Sequence, residues 1–134
     1  MDYRSKHIEK LINTLVTPKV NQVLTEAGYP IIYNVEVDKI IPPTESKSSY
    51  VSVMVHYKNT QNDYDANVRY FSYPICNMIT NCIDYVMTDN YKVTIINILM
   101  GDSLDSYTFV ARKDDYRIST SDAMDELKNR LMVD

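Results

Sequence analysis

The spacing of apolar residues changes once near the start of this chain, and that change decides its fold class. Residues 3–27 place apolar side chains every three or four positions, as an amphipathic helix does. After Gly28 the period becomes two, because Ile31, Tyr33, Val35 and Val37 alternate with Ile32, Asn34, Glu36 and Asp38. A period of two is typical of a half-buried strand. A chain that combines both periods predicts an α+β fold.

The later elements follow from the same two periods. Strands are predicted at about 50–58, 91–100 and 107–111, with residues 67–72 as an optional third strand in the middle. Pro74 suits the first turn of a helix whose apolar stripe includes Ile75, Ile79, Cys82 and Ile83. Ser119, Thr120 and Ser121 offer caps for a last helix. The predicted order is α-β-β-(β)-α-β-β-α, a mostly antiparallel sheet with helices packed on it.

A length of 134 residues predicts a single domain. Its parts are an N-terminal helical region (1–28), a sheet with one inserted helix (31–113) and a C-terminal helix (119–132). Thr17 and Pro18 mark either a kink or a restart between two short helices. No apolar run approaches the roughly 20 residues of a membrane helix. The polar start does not resemble a signal peptide. We therefore expect a cytoplasmic protein without membrane contact.

Scarce residue types exclude much catalytic chemistry. The chain has 2 Gly, 2 Cys and 2 His, so it has neither a glycine-rich phosphate loop nor a zinc pattern. We expect no cofactor, no metal and no enzymatic activity. His7, on a helix, and His56, on a strand, lack an evident partner for base catalysis. Cys82 fits the core stripe, while Cys76 near the predicted helix start admits a lowered thiol pKa.

Acidic residues in loops favour turn chemistry over metal binding. Asp102 and Asp105 lie in a predicted five-residue hairpin loop that begins at Gly101. Asp114 and Asp115 are flanked by basic residues, which is typical of a solvated charged turn. None of these carboxylates has the spacing of a calcium loop.

Tyrosine is the unusual feature of the composition, with 12 Tyr and no Trp. So many hydroxyls exceed what one small core can satisfy, and tyrosine is enriched at protein interfaces. Tyr50, Met54 and Ile96 are predicted to share a second apolar sheet face, covered either by the chain's own helices or by another subunit. Loops 42–48 and 59–66 are further candidate contacts. The candidate interface residues are Tyr50, Met54, Tyr64, Asp102 and Asp105.

Three functions are compatible with these features. The first is a non-enzymatic assembly protein with protein partners, as a homo-oligomer or in a larger assembly. A small regulatory protein that binds a host or partner protein is a variant of it. The second is a nucleic-acid-binding module, which the net charge of −4 and the pI of about 5.1 disfavour. The third is an enzyme that uses Asp and Tyr groups brought together by folding.

The element order resembles that of the small neck and tail-completion subunits of tailed bacteriophages. The matching stretches are Ile8–Ala27, Ile31–Ile41, Tyr50–Tyr57, Pro74–Val86 and Tyr91–Val110. The helix after Ser119 departs from that shared core. The resemblance implies ring-shaped oligomers that join head and tail, without enzymatic activity, in the host cytoplasm or the virion.

Overall fold

A computed structural model describes residues 3–42, 49–58, 66–87, 91–100 and 106–132. Helices and strands occur in the order α-β-β-α-β-β-α. The helical elements are α1 (Tyr3–Leu11), a π-helical segment (Ile12–Val16), α2 (Thr17–Glu26), α3 (Ala66–Val86) and α4 (Thr120–Leu131). The strands are β1 (Ile32–Ile41), β2 (Tyr50–Tyr57), β3 (Val93–Met100) and β4 (Ser106–Arg112).

The strands form one sheet in the order β1-β2-β3-β4. The β1–β2 and β3–β4 pairs are antiparallel, as hairpin neighbours are expected to be. The β2–β3 pair is parallel, since α3 lies between these strands in the chain and carries it back to the end of the sheet where β2 began. The predicted α+β class with a mostly antiparallel sheet is confirmed.

One sheet face and the apolar stripes of the helices form a hydrophobic core. The core residues of β2 are fully buried on the predicted face: Val51, Val53, Val55 and Tyr57. Those of β3 are Ile96, Ile98 and Met100. The helices contribute, among others, Ile8, Ile12, Val20, Leu24, Phe71, Ile75, Ile79 and Ile83. The parallel register places Ile96 beside Val53, within this core. Its predicted place on the second face is therefore wrong.

The optional strand at 67–72 is also wrong, because these residues begin α3. Val68, Phe71 and Ile75 are all buried, and their spacing of three and four continues the stripe of the middle helix toward its start. Pro74 lies inside the helix rather than in its first turn. A proline there cannot donate to the carbonyl oxygen of Tyr70, four residues earlier. Arg130 of α4 donates to that oxygen instead, at 2.5 Å.

The N-terminal region is one continuous helical stretch with a widened turn before Pro18. The backbone N–H of Thr17 bonds to the carbonyl oxygen of Ile12, the five-residue spacing of a π turn. Thr17 is itself helical, so it does not act as the predicted N-cap. The kink alternative therefore describes this region better than two separate helices. Proline lacks the donor that a regular turn would need here, which explains where the widening occurs.

Two bulges interrupt the predicted alternation of β1. The register shifts between Ile32 and Asn34 and again between Val37 and Lys39. The first shift leaves Tyr33 exposed and buries Ile32 instead. A bulge inserts one residue into one strand, so a strict period of two cannot predict which side chain is buried beyond it.

The last helix packs on α3. The Ser119 hydroxyl accepts a hydrogen bond from the backbone N–H of Asp122 at 3.0 Å, so Ser119 is the cap among the three candidates. Asn77 and Asn81 of α3 both donate to the carbonyl oxygen of Ile118, at 2.9 and 3.0 Å. These bonds fix the start of α4 against the middle of α3.

Candidate protein interface

The second face of the sheet lies outside the core, and we call it the open face. The strand registers assign it these residues: Asn34, Glu36, Lys39 and Ile41 of β1, Tyr50, Ser52, Met54 and His56 of β2, Val93, Ile95, Asn97 and Leu99 of β3, and Thr108, Val110 and Arg112 of β4. None of its apolar side chains joins the core cluster that the described residues form.

Aliphatic and aromatic side chains alternate with polar ones across the open face. Its apolar members are Ile41, Tyr50, Met54, Val93, Ile95, Leu99 and Val110. Most are half-buried, while Val110 is 61% exposed. Lys39 places its ammonium group 5.9 Å from the centre of the Tyr50 ring. Aromatic residues and methionine, here Tyr50 and Met54, are enriched at protein interfaces.

The sequence therefore places Tyr50 and Met54 correctly on a second sheet face. Their neighbours on β3 are Val93 and Asn97 rather than Ile96. The other candidate interface residues, Tyr64, Asp102 and Asp105, lie outside the described residues, as do 43–48 and 59–65 of the two candidate loops.

His56 forms a polar pair at one end of the open face. Its Nε2 atom lies 2.7 Å from Oε1 of Glu36 on the neighbouring strand. The Tyr33 ring lies 5.6 Å from the imidazole, centre to centre. Within the described chain, no nucleophilic side chain is hydrogen-bonded to this pair. The expectation that His56 lacks a partner is therefore wrong, because the pairing of β1 with β2 brings Glu36 beside it.

Side chains of the N-terminal helical region close the β1 edge of the sheet. Asn21 binds both backbone groups of Ile32: Oδ1 accepts from its N–H at 2.8 Å, and Nδ2 donates to its carbonyl at 2.7 Å. Asn13 donates to the carbonyl of Val35 at 2.9 Å. The Glu9 carboxylate accepts from the N–H of Val37 at 2.8 Å. These bonds occupy backbone groups that an added strand would need. The two bulges also interrupt the regular spacing that strand pairing requires.

The β4 edge is built differently. The backbone N–H of Lys113 bonds to the carbonyl oxygen of Lys92. In an antiparallel pair, every second residue bonds to the neighbouring strand in this way. Thr108 and Val110 occupy the positions in between, so their backbone N–H and C=O groups point away from β3. Among the described residues, these outward groups have no partner. Beyond them, Asp115 and Arg117 bind the backbone N–H and carbonyl of Arg112 and end the free stretch.

Aromatic rings and arginines line the helix side of this edge. Tyr73 of α3 meets Phe109 of β4 edge-to-face, with ring centres 4.7 Å apart. The Arg130 guanidinium lies 4.6 Å from the Tyr70 ring and 5.5 Å from the Tyr73 ring. Tyr70 and Tyr73 are both exposed. Tyrosine and arginine are the residue types that dominate binding energy at protein interfaces.

A polar cluster joins α3 to the segment around β4. The Tyr91 hydroxyl donates to Oδ1 of Asp84, and Oδ2 lies 3.5 Å from Nε of Arg117. Burial raises the pKa of Asp84, and the charges of Arg117 and Lys113 partly offset that rise. Lys113 also lies over the Tyr91 ring, 5.3 Å from its centre. The cluster ties the end of α3 to the residues that precede β3 and follow β4, so we assign it a structural role.

The tyrosine surplus lies largely at the surface. Of the described tyrosines, Tyr57 and Tyr91 are buried. Those exposed are Tyr3, Tyr33, Tyr70, Tyr73, Tyr85 and Tyr116. Folding of a single copy thus leaves most of these rings at least partly in contact with solvent.

The cysteines differ from the sequence-based expectation. Cys76 is buried, with 7% of its surface exposed, and burial raises its pKa strongly. The predicted lowering of that pKa is wrong because α3 begins eight residues before Pro74, which places Cys76 in the middle of the helix. Cys82 is half-buried against the core, and burial raises its pKa too. Both described thiols are free.

In the residues that the structure describes, no group of three His, Cys, Asp or Glu side chains is placed to hold a metal ion. No helix in the same residues combines the length and apolar character needed to cross a membrane. The charged turn at Asp114 and Asp115 is exposed, as predicted.

No protein-family model, curated protein or solved structure matches this chain. The geometry of the open face and of the two sheet edges is therefore the basis for a function. Sequence patterns alone could not reveal the edges, because they depend on which strands end up outermost and on side chains that arrive from distant helices.

Proposed function

We propose that this chain is a non-enzymatic assembly protein that works through protein–protein contacts. The open face is the observation that carries the proposal. It presents aliphatic and aromatic side chains from all four strands on a rigid sheet, and these side chains take no part in the core. Covering them with another protein surface removes apolar area from water, which is the main driving force for association.

The polar residues of the open face suit an interface that also has to be soluble before assembly. His56 and Glu36 form their own pair, and the Thr108 hydroxyl donates to Oδ1 of Asn97 at 2.9 Å. Because these polar groups are already hydrogen-bonded within the chain, covering them would leave few unpaired donors or acceptors. A partner that covers these four side chains therefore meets few unpaired polar groups.

The specific form that we propose is an oligomeric structural subunit of a phage particle, in a neck or tail ring. What supports it is the element order: a leading helical region, two strands, a helix and a final hairpin. The exposed tyrosines are consistent with a subunit that contacts several neighbours. This function requires neither cofactor nor metal.

The test compares two identical substitutions. Met54→Lys places a charge in the middle of the open face, whereas Met132→Lys changes a residue at the end of α4 that is 79% exposed. We expect the wild type and Met132→Lys to self-associate with rising concentration in sedimentation experiments, and Met54→Lys to do so at least tenfold more weakly. Circular dichroism verifies that both variants fold.

Two outcomes would contradict parts of the proposal. A wild-type chain that stays monomeric at millimolar concentration, and that binds RNA in a salt-dependent manner, would favour a nucleic-acid-binding module. Self-association that gives no ring-shaped particles in electron micrographs would remove the neck or tail-ring form while leaving an assembly role.

A further inference from the structure

The two outer edges of the sheet differ, and that difference indicates where a second chain pairs. On β1, side chains of Glu9, Asn13 and Asn21 occupy outward backbone groups of three residues. On β4, the outward groups of Thr108 and Val110 have no partner among the described residues. Folded proteins ordinarily protect both edges, so an unprotected edge marks a place for another strand.

We infer that β4 pairs antiparallel with β4 of a second copy around a two-fold axis, so that one sheet continues across both chains. This inference rests on the proposed function, because it names the partner of an assembly protein. It adds a surface separate from the middle of the open face.

A second copy of β4 fits this edge in register. Full overlap of the two strands places Phe109 on the two-fold axis, with backbone pairing confined to residues 108–110, because Asp115 and Arg117 already bind the outward groups of Arg112. Thr108 of each copy then exchanges both backbone hydrogen bonds with Val110 of the other, which uses the groups that are free in one copy. Phe109 faces its own counterpart at a position without backbone hydrogen bonds, where side chains approach closely. Aromatic pairs across strands stabilise such contacts.

Charge also permits the pairing. Arg112 is the one charged residue of β4, and full overlap sets it opposite Ser106 rather than opposite another arginine. The Arg130 guanidinium near the axis is already bonded to the Glu126 carboxylate, at 2.6 and 3.1 Å. No like charges therefore oppose one another along the two strands.

A head-to-tail arrangement, with β4 on the β1 edge of the next copy, does not fit. It would have to break the bonds that Asn21 makes to Ile32 and that Glu9 makes to Val37. The bulges of β1 would also interrupt the pairing. The symmetric arrangement needs none of these changes.

The first experiment removes one outward donor. Val110→Pro lacks the backbone N–H that pairing needs, at an edge position where proline is tolerated. Val110→Ala keeps that N–H and is the matched control. We expect Val110→Pro to weaken dimerisation at least tenfold in sedimentation experiments and Val110→Ala to weaken it much less. Dimerisation of Val110→Pro at the wild-type concentration would overturn the inference.

The second experiment tests the register directly by oxidation, in a Cys82→Ser background. Residues opposite one another lie about 5.5 Å apart between Cα atoms, within disulfide reach. An equimolar mixture of Thr108→Cys and Val110→Cys should therefore cross-link between the two variants. A dimer of either variant alone places its two cysteines diagonally across the strands, about 7–8 Å apart, and should not cross-link.

The outcomes separate this inference from the proposed function. β4 pairing would be overturned, and the assembly role would remain, if the wild type dimerises, Met54→Lys weakens that dimerisation, and the mixture of the two cysteine variants forms no cross-link. A monomeric wild type would overturn pairing with a second copy, and any partner strand would then come from a different protein.

Discussion

Arg130 of α4 donates a hydrogen bond to the carbonyl oxygen of Tyr70, the group that Pro74 leaves without a partner inside α3. The same guanidinium also bonds to Glu126 and lies over the Tyr70 and Tyr73 rings. A proline that would ordinarily weaken a helix thus creates the acceptor that holds another helix in place.

This relationship predicts a specific coupling. Arg130→Met keeps the apolar stem but removes the donors, and we expect it to lower the free energy of unfolding by about 1–3 kcal/mol. In a Pro74→Ala background the helix supplies its own donor to Tyr70, so Arg130→Met should cost less there. Urea denaturation of the four proteins gives the coupling energy. An equal loss of stability from Arg130→Met in both backgrounds would contradict this coupling. Lys128→Met, at an exposed position of α4, is the control.

The closed β1 edge predicts a loss of stability on an isosteric change. Asn21→Asp can still accept from the N–H of Ile32, but it cannot donate to that residue's carbonyl, which is left facing a carboxylate. We expect a loss of about 1–3 kcal/mol at neutral pH. Gln22→Glu, at the exposed neighbouring position, makes the same chemical change without a bond to β1. Thermal unfolding compares the two, and equal melting temperatures would show that the bonds to Ile32 contribute nothing.

A buried hydroxyl pair predicts non-additive effects. The Tyr57 hydroxyl lies 3.2 Å from Oγ of Ser72, both residues are fully buried, and burial raises the pKa of Tyr57. Ser72→Ala leaves a phenol without a partner, at a cost of about 1–3 kcal/mol. Adding Tyr57→Phe removes that unpaired group, so the double variant should be more stable than the sum of the single losses implies. Strict additivity in denaturant unfolding would mean that the hydroxyls do not interact.

The Asp84 carboxyl predicts a pH dependence. Because burial raises its pKa above the ordinary 3.8, the folded chain holds this proton more tightly than the unfolded chain does. The contribution of Asp84 to stability should therefore fall as the pH rises from 3.8 through the raised value. Asp84→Asn keeps an acceptor for Tyr91 but has no proton to lose, so it lacks this slope.

The measurement is the difference in unfolding free energy between wild type and Asp84→Asn from pH 3 to pH 6. The variant should become more stable relative to the wild type as the pH rises. Asp125→Asn, at an exposed position of α4, controls for the change in net charge. A difference that shifts in favour of the wild type would show that the Arg117 ion pair outweighs burial.

Much of the fold follows from local spacing in the sequence. The faces of β2 are predicted residue by residue, since Val51, Val53 and Val55 alternate without interruption. The failures arise where distant residues decide. Pro74 is an ordinary helix-start signal, and only Arg130, 56 positions later in the chain, makes its interior position acceptable. Ile96 is assigned to a face by the parallel register with β2, which local spacing does not specify.

The candidate interface shows the same division. Its chemistry is visible in the sequence, because Tyr50 and Met54 alternate with core positions of β2. Its boundaries are not, because the closed edge depends on Asn13 and Asn21 reaching β1 from another element. A polar residue on a helix gives no sign of which backbone group it will bind.

The contrast between the two sheet edges limits how far pairing can spread. Two open edges would give each chain a valence of two, and strand addition could then propagate into a fibre without a natural end. With the β1 edge closed by Glu9, Asn13 and Asn21, the β4 pairing that we infer gives the sheet a valence of one, so growth by strand pairing would stop at two copies. Helix side chains that bind backbone groups thus act as a terminator of polymerisation, and any larger particle must grow through other surfaces.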